Sequence, residues 1–254
     1  IEGGELVIPQ GYEMVWNDEF NEGSELNSAH WRHEVQKSGW VNNELQNYVN
    51  GSADGKRVTE IADNRLYINC FKGSDGKIYS GRVYAHENQG WLYGIFEARI
   101  KLPKGKGTWP AFWMMPCNND FGANPWPKCG EIDIMEEVGV NPNYTSSSLH
   151  TEKFNHVVGT QITKERLTEG AEDQFHVYRL EWTPDYIKTY IDGKELLYFK
   201  NDGKNEVGSW PFNKPFYVIL NLAWGGMWGG MNGVDESALP IQMEVDYVRV
   251  FQKK

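Results

Sequence analysis

"YGIFEARIKL" (residues 93–102) alternates apolar and charged residues over most of its length. Phe96, Ala98, Ile100 and Leu102 fall on one face of an extended chain, with Glu97, Arg99 and Lys101 on the other. A period of two marks a strand with one buried face, because successive side chains of a pleated chain point to opposite sides. Working outward, "RLYINCFK" (65–72) is a β-rich run. "YIKTYIDGKELLYF" (186–199) reads as a hairpin, with Asp192-Gly193 suited to a type I′ turn. "FYVILNLAW" (216–224) is apolar enough for the middle of a sheet, and "MEVDYVRVF" (243–251) reads as a closing strand. Helical periodicity is weak, and only "RLTEGAEDQF" (166–175) has room for one turn. Short strands joined by Gly-rich connections predict an all-β, antiparallel sandwich of two stacked sheets, one of them concave.

The chain has 254 residues, and its 27 Gly and 11 Pro are scattered without repeat or linker, so one domain over 1–254 is expected. A net charge of −10 argues against nucleic acid and polyanionic partners. Eleven Trp are more than a core needs, so some of these rings are expected to face a ligand. Cys70, Cys117 and Cys129 are odd in number and fit no metal spacing. A Cys117–Cys129 disulfide would close the loop between them, and the sequence alone leaves that pairing open. No apolar run reaches the length of a membrane-spanning helix. "IEGGELVIPQ" (1–10) carries no apolar signal-peptide core, and an already processed chain would read the same.

"CGEIDIMEEVG" (129–139) crowds Glu131, Asp133, Glu136 and Glu137 into seven positions. On a regular strand Glu131 and Asp133 share a face while Glu136 points the other way, among isoleucines. A β-bulge near Ile134–Met135 removes the conflict by resetting the alternation. Glu131, Asp133 and Glu136 then share a face, while Ile132 and one of Ile134 or Met135 fill the core. The two glutamates would sit roughly 13 Å apart along the backbone. On a concave sheet their side chains lean toward the ~5–5.5 Å separation of a retaining glycosidase. Crowded like charges keep one carboxyl protonated, as a general acid requires. An ordinary solvated acidic face and a calcium site on i, i+2 carboxylates are the other readings of this spacing. Spacing alone leaves all three open.

"GEIDIMEEVG" also resembles the E-x-D-x-x-E signature of glycoside hydrolase family 16, in its laminarinase-like branch. Further segments resemble that family in order: "VWNDEFN" (15–21), "WVNNELQNYV" (40–49), "YSGRVYA" (79–85), "YGIFEARIKLP" (93–103), "GTWPAFWMMP" (107–116), "SLHTE" (148–152), "FHVYRLEWTPDYIKTYIDG" (175–193) and "DYVRVF" (246–251). The resemblance implies a concanavalin A-like β-jelly-roll with an open substrate cleft on its concave sheet. It implies a retaining endo-β-glucanase that cuts β-1,3- or mixed-linkage β-1,3/1,4-glucan through a glycosyl-enzyme intermediate. By motif position, Glu131 resembles the nucleophile, Asp133 the assisting carboxylate and Glu136 the acid/base; Glu137 matches no family role. Strict lichenases have one residue fewer, so the bulged spacing is of the laminarinase type. Relatives that cut agar or porphyran share the bulge, and a non-catalytic glucan-binding lectin uses the same fold. Intact acids argue against the lectin, and the acidic net charge against sulfated substrates.

Sugars present apolar C–H faces and polar rims, which flat rings and planar hydrogen-bonders complement. Trp109 and Trp113 lie four residues apart, hence on one face of a regular strand, and resemble rings on the non-reducing side of the cut. Asn43 and Arg82 match family positions that hydrogen-bond the sugar. His150 matches a histidine near the acidic strand, expected on the leaving-group side or against Glu136, and Trp126 is expected to line the same side. Trp224 and Trp228, in "AWGGMWGGMNG" (223–233), either rim the cleft or cover the core edge. Asp246 resembles a structural calcium ligand on the convex side, shared with carbonyls near the N-terminus. The mechanism implies no cofactor for catalysis. A polysaccharide partner, a monomer and a secreted or cell-surface location complete the expectation, since a cell cannot import so large a substrate whole.

Overall fold

The computed structural model describes residues 4–117 and 123–254. The alternating segment folds as the strand Gly94–Lys101, with Phe96, Ala98 and Ile100 fully buried. Its charged face is covered too: Glu97 and Arg99 are buried. Burial is tolerable because each charge is paired. Arg179 Nε and Tyr247 Oη donate to Glu97, both at 2.7 Å, and Arg99 Nη1 donates to Asp246 at 2.9 Å. The expected hairpin pairs Tyr186–Ile191 with Lys194–Lys200. Asp192 and Gly193 both take positive φ, 49° and 79°, as a type I′ turn demands.

Two large sheets result. The first runs Lys194–Lys200, Tyr186–Ile191, His176–Trp182, Gly94–Lys101, Ile241–Lys253, Arg65–Lys72, Ile78–Ser80, Asn47–Tyr48, with Tyr12–Asp18 and Thr59–Ala62 paired alongside. The second runs Ile162–Leu167, Tyr144–His150, Glu131–Glu136, Thr108–Pro116, Phe216–Trp224, Arg82–Ala85, Trp31–His33. Each neighbouring pair in the second sheet is antiparallel. Between the sheets, Leu66, Phe96, Ile100, Val245 and Val248 of the first meet Val83, Phe112, Met114, Val218 and Leu220 of the second in one core. This is the antiparallel jelly-roll sandwich expected, with the acidic strand near the middle of the second sheet.

Residues 162–167 extend the second sheet by pairing with 144–149, and the one turn for which 166–175 has room follows: the Gly170 carbonyl accepts from Asp173 N at 2.9 Å and from Gln174 N at 2.8 Å. No disulfide ties Cys117 to Cys129.

The second sheet's outer face carries the remaining polar chemistry. On Thr108–Pro116, Phe112 and Met114 enter the core while Trp109 and Trp113 stay half-buried on the other side. On Phe216–Trp224, Phe216, Val218, Leu220, Leu222 and Trp224 point inward. That leaves Tyr217, Ile219 and Asn221 on the face shared with the acids.

Candidate active site

Register shows how the acids come to one face. Against Thr108–Pro116, Glu136 pairs with Ala111, Met135 with Phe112 and Asp133 with Trp113. Against Tyr144–His150, Asp133 pairs with Ser148 and Glu136 with Ser146. Ile134 is therefore the extra residue of a β-bulge, and Ile134 and Met135 together oppose Ser147. Ile132, Ile134 and Met135 all join the core, where only one of the last two was expected. The reason is the bulge itself, which turns two consecutive residues inward. A buried hydroxyl supports it: Ser147 Oγ donates to the Ile134 carbonyl at 2.8 Å.

Each glutamate is held by an indole. Trp126 Nε1 donates to Glu131 at 3.1 Å, and Trp109 Nε1 donates to Glu136 at 3.0 Å. Asp133, 2% exposed, lies within hydrogen-bonding reach of both glutamates. His150 is the register partner of Glu131. Its Nε2 stands 3.2 Å from Asp133 Oδ2 and 3.7 Å from Glu131 Oε2. The alternative that placed it against Glu136 is thereby corrected: cross-strand pairing puts it at the other end of the acidic strand.

Burial raises all three carboxyls, and their mutual charge adds to it. Glu136 is pushed up to about 7 by burial and by Glu131, while the indole bond from Trp109 opposes the rise. Glu131 lies well above the usual range through burial and Asp133, with His150 opposing. Asp133 is raised by burial and by Glu136. The three carboxyls are close enough for the charge of one to act on the proton of the next.

Around the acids, the residues singled out in the sequence fall into two groups. Toward Glu136 and the Arg82–Ala85 strand lie Trp109, Trp113 and Arg82. Trp113 Nε1 donates to Asn221 Oδ1 at 2.8 Å, and Asn221 Nδ2 donates to Tyr48 Oη at 3.1 Å. The Arg82 guanidinium is stacked between Trp40 and Trp113, 4.9 and 4.8 Å from their ring centroids. Asn43 is exposed in a tight turn at φ 54°. Toward Glu131 lie Trp126 and His150, whose ring centroids are 5.8 Å apart. The two Gly-loop tryptophans divide: Trp224 is sealed in the core, whereas Trp228 meets Trp109 edge-on at 5.7 Å.

Four contributors were missed by sequence reasoning: Ser147, Asn221, His156 and Glu44. His156 completes an aromatic cluster with Trp126 and His150. Glu44 is buried, held by Asn42 Nδ2 at 2.9 Å and Gln46 Nε2 at 3.0 Å. Its negative charge adds to the rise of Glu136, and Arg82 acts on it in turn. An acid between amides in "NNELQ" was the available signal.

Asp246 belongs to the other sheet. Its carboxylate is ion-paired with Arg99 at 2.9 Å, in a depression also lined by Asp63, Asn64, Arg65 and Phe175. Calcium takes six to eight oxygens. Here the Arg99 guanidinium occupies the carboxylate, and among the described residues no trio of His, Cys, Asp or Glu donors gathers around it.

A carboxyl raised to about 7, a second carboxyl on the same face and flat indole walls suit the cleavage of a sugar acetal, so fold and site together define a glycoside hydrolase. The sequence profile of Glycosyl hydrolases family 16 matches residues 40–249. A beta-glucanase of Rhodothermus marinus is 40% identical over 247 residues, 95% of this chain and 85% of its own length. SCLam, a non-specific endo-β-1,3(4)-glucanase of that family, has a TM-score of 0.89 at 40% identity over 98% of this chain and 94% of its own. A variant of SCLam, with a TM-score of 0.90 at 40% identity over 98% and 97% of the two chains, was co-crystallised with 1,3-β-D-cellotriosyl-glucose and presents 1,3-β-D-cellobiosyl-glucose at its active site. The chain belongs to glycosyl hydrolases family 16. It is an endo-β-glucanase, and enzymes of this family need no cofactor for catalysis.

Proposed function

We propose that Glu131 is the nucleophile and Glu136 the acid/base of a double displacement on β-1,3-glucan and on mixed-linkage β-1,3/1,4-glucan. Glu131 attacks the anomeric carbon while protonated Glu136 gives its proton to the departing glycosidic oxygen. Water, deprotonated by the same Glu136, then releases the glycosyl group with retained configuration. Asp133 lies between the glutamates and passes charge and hydrogen bonding from one to the other as the proton moves. The supporting observation is the bulge at Ile134, without which Glu136 would lie beneath the sheet. Trp109, Trp113, Arg82 and Asn43 bind sugars on the non-reducing side, and Trp126 and His150 wall the leaving-group side. Acceptance of both linkages rests on the likeness to SCLam, described as non-specific.

The test is Glu131→Gln assayed on laminarin, barley glucan and lichenan. Turnover should vanish while laminari-oligosaccharide binding persists; normal hydrolysis by this variant would remove Glu131 from its role. Activity of the parent on agarose alone would assign the chain to the agar-cutting relatives, and binding without hydrolysis would make it a lectin.

The chain is further read as one catalytic domain over 1–254, monomeric, and working outside the cell or at its surface because its substrate is polymeric. Size-exclusion chromatography with light scattering decides the monomer. No helix among the described residues is long and apolar enough to cross a membrane. Structural calcium at Asp246 would have to draw on backbone and water oxygens, since Arg99 already balances the carboxylate. A melting temperature lowered by EGTA would support the ion, and an unchanged one would leave Arg99 as the counter-charge.

A further inference from the structure

One corner of the site gathers donors for a different purpose. Glu131 Oε2, Asp133 Oδ2 and His150 Nε2 come from neighbouring strands, and these three side chains offer donor atoms all within 4.8 Å of one another. A tetrahedral ion with Zn–N and Zn–O bonds of about 2.0–2.2 Å spaces its ligands roughly 3.3–3.6 Å apart. The observed separations from His150 Nε2, 3.2 Å to Asp133 and 3.7 Å to Glu131, bracket that range. Glu131 and His150 are register partners, so the backbone already holds this spacing. Asp133 and His150 are 2% and 6% exposed, and Asp133 Oδ2 is buried with no aligned hydrogen bond. The nearest cationic candidate to that oxygen among the described residues is the His150 imidazole at 3.2 Å, which is not aligned as a hydrogen bond, so a buried oxygen, a ring nitrogen and a second carboxylate face one shared point.

We propose that Glu131, Asp133 and His150 form a binding site for a divalent transition-metal ion of the zinc class, and that its occupancy reversibly blocks hydrolysis. The mixed imidazole and carboxylate set favours zinc-like ions over calcium or magnesium, which prefer oxygen alone. Three protein ligands leave a fourth position for water or for a sugar hydroxyl. The bound ion occupies one carboxylate oxygen of Glu131 and stands where the anomeric carbon must approach. His150 Nδ1 has no hydrogen-bond partner among the described residues, so the ring is held by packing against Trp126 and His156 and not by an outer hydrogen bond. Outer partners of that kind are worth about 10–100-fold in affinity. The site is accordingly a reversible, inhibitory one, weaker than a structural zinc centre.

The binding half of this proposal stands without the hydrolytic assignment, and the blocking half rests on it. Chelator-stripped full-length protein is titrated with ZnCl₂ by calorimetry and with CoCl₂ by visible absorption. One saturable ion per chain with tetrahedral cobalt bands is expected, and His150→Ala should weaken binding by roughly tenfold or more. His150→Gln, closer in volume, repeats the measurement if the alanine variant misfolds. Glu136→Gln, outside the trio, should bind zinc as the parent does. Laminarin hydrolysis should fall with zinc occupancy and return with EDTA. Absence of saturable binding, or unchanged binding in both His150 variants, overturns the site. Saturated zinc with undiminished hydrolysis overturns the blocking role, and a parent that never hydrolyses glucan refutes the hydrolytic assignment instead.

Discussion

Trp109→Phe isolates the control that one indole exerts on the acid/base. The ring and its edge contact with Trp228 largely survive, while the Nε1 hydrogen bond to Glu136, 3.0 Å in the parent, is lost. That bond favours the carboxylate over the carboxylic acid, so its loss must raise the Glu136 pKa from about 7. A hydrogen bond to a charged group contributes about 1.5–3 kcal/mol, equivalent to roughly one to two pKa units. Glu136 is only half-buried, so water replaces part of the lost donor, and about half to one unit is the reasoned shift. Initial rates of reducing-sugar release from laminarin, followed across pH, yield the bell of kcat/KM. Its alkaline limb reports the free enzyme's acid. The limb should move to higher pH by that amount, and the acid limb should move less. An alkaline limb that stays in place or moves to lower pH, with oligosaccharide binding intact, would refute the claim that Trp109 stabilises ionised Glu136.

The other perturbations probe the support around the trio. Ser147→Ala removes a buried side-chain donor on the bulge carbonyl, at about 1–3 kcal/mol; thermal melting should drop by several degrees and kcat should fall more than KM rises, and a variant melting and turning over like the parent would show the bulge needs no such prop. Burial, with Glu172 alongside, holds the Glu137 carboxyl far above its ordinary range. The folded state therefore keeps a proton that the unfolded chain surrenders above about pH 4.5, so this contribution to stability is full below that pH and drains away as pH rises toward the folded pKa. Glu137→Gln, whose amide donates to Glu172 in the proton's place, should flatten the fall in melting temperature between about pH 5 and 9; an unchanged slope would acquit Glu137. Arg82→Lys keeps the charge but not the planar stack between Trp40 and Trp113. It should raise KM for laminari-oligosaccharides severalfold with kcat little changed, and an unaltered KM would remove Arg82 from sugar binding.

The fold was legible because its strands obey one rule at a time. Residues 93–102 alternate, 186–199 carry the Asp-Gly turn, and 216–224 are apolar except at Asn221, with the outer side chains Ile219 and Asn221 themselves covered. What alternation could not reveal is how a charged face gets buried. Glu97 and Arg99 look like solvent residues until Arg179, Tyr247 and Asp246 arrive from strands distant in sequence. The same blindness covers Asp246, whose ion-pair partner lies 147 positions away. A local pattern says which side a residue faces, whereas the charge that balances it is a property of topology.

The site divides along the same line. Glu131, Asp133 and Glu136 announced themselves because their spacing breaks the strand period, and only a bulge reconciles it with a core of isoleucines. The residues that make the break work were silent. Ser147 sits in a run of three serines in which nothing distinguishes the one facing Ile134. Glu44 reads as a turn acid, yet it is buried near Arg82 and adds its charge to the proton affinity of Glu136. His150 was recognised but given two possible neighbours. Choosing between them needs the register of Glu131–Glu136 against Tyr144–His150, which the bulge shifts by one residue beyond Asp133. Because Glu131 lies before the bulge and Glu136 after it, the histidine can serve only one end. The asymmetry of the two glutamates, each held by an indole but one beside an imidazole and the other near a distant acid, thus follows from a single inserted residue.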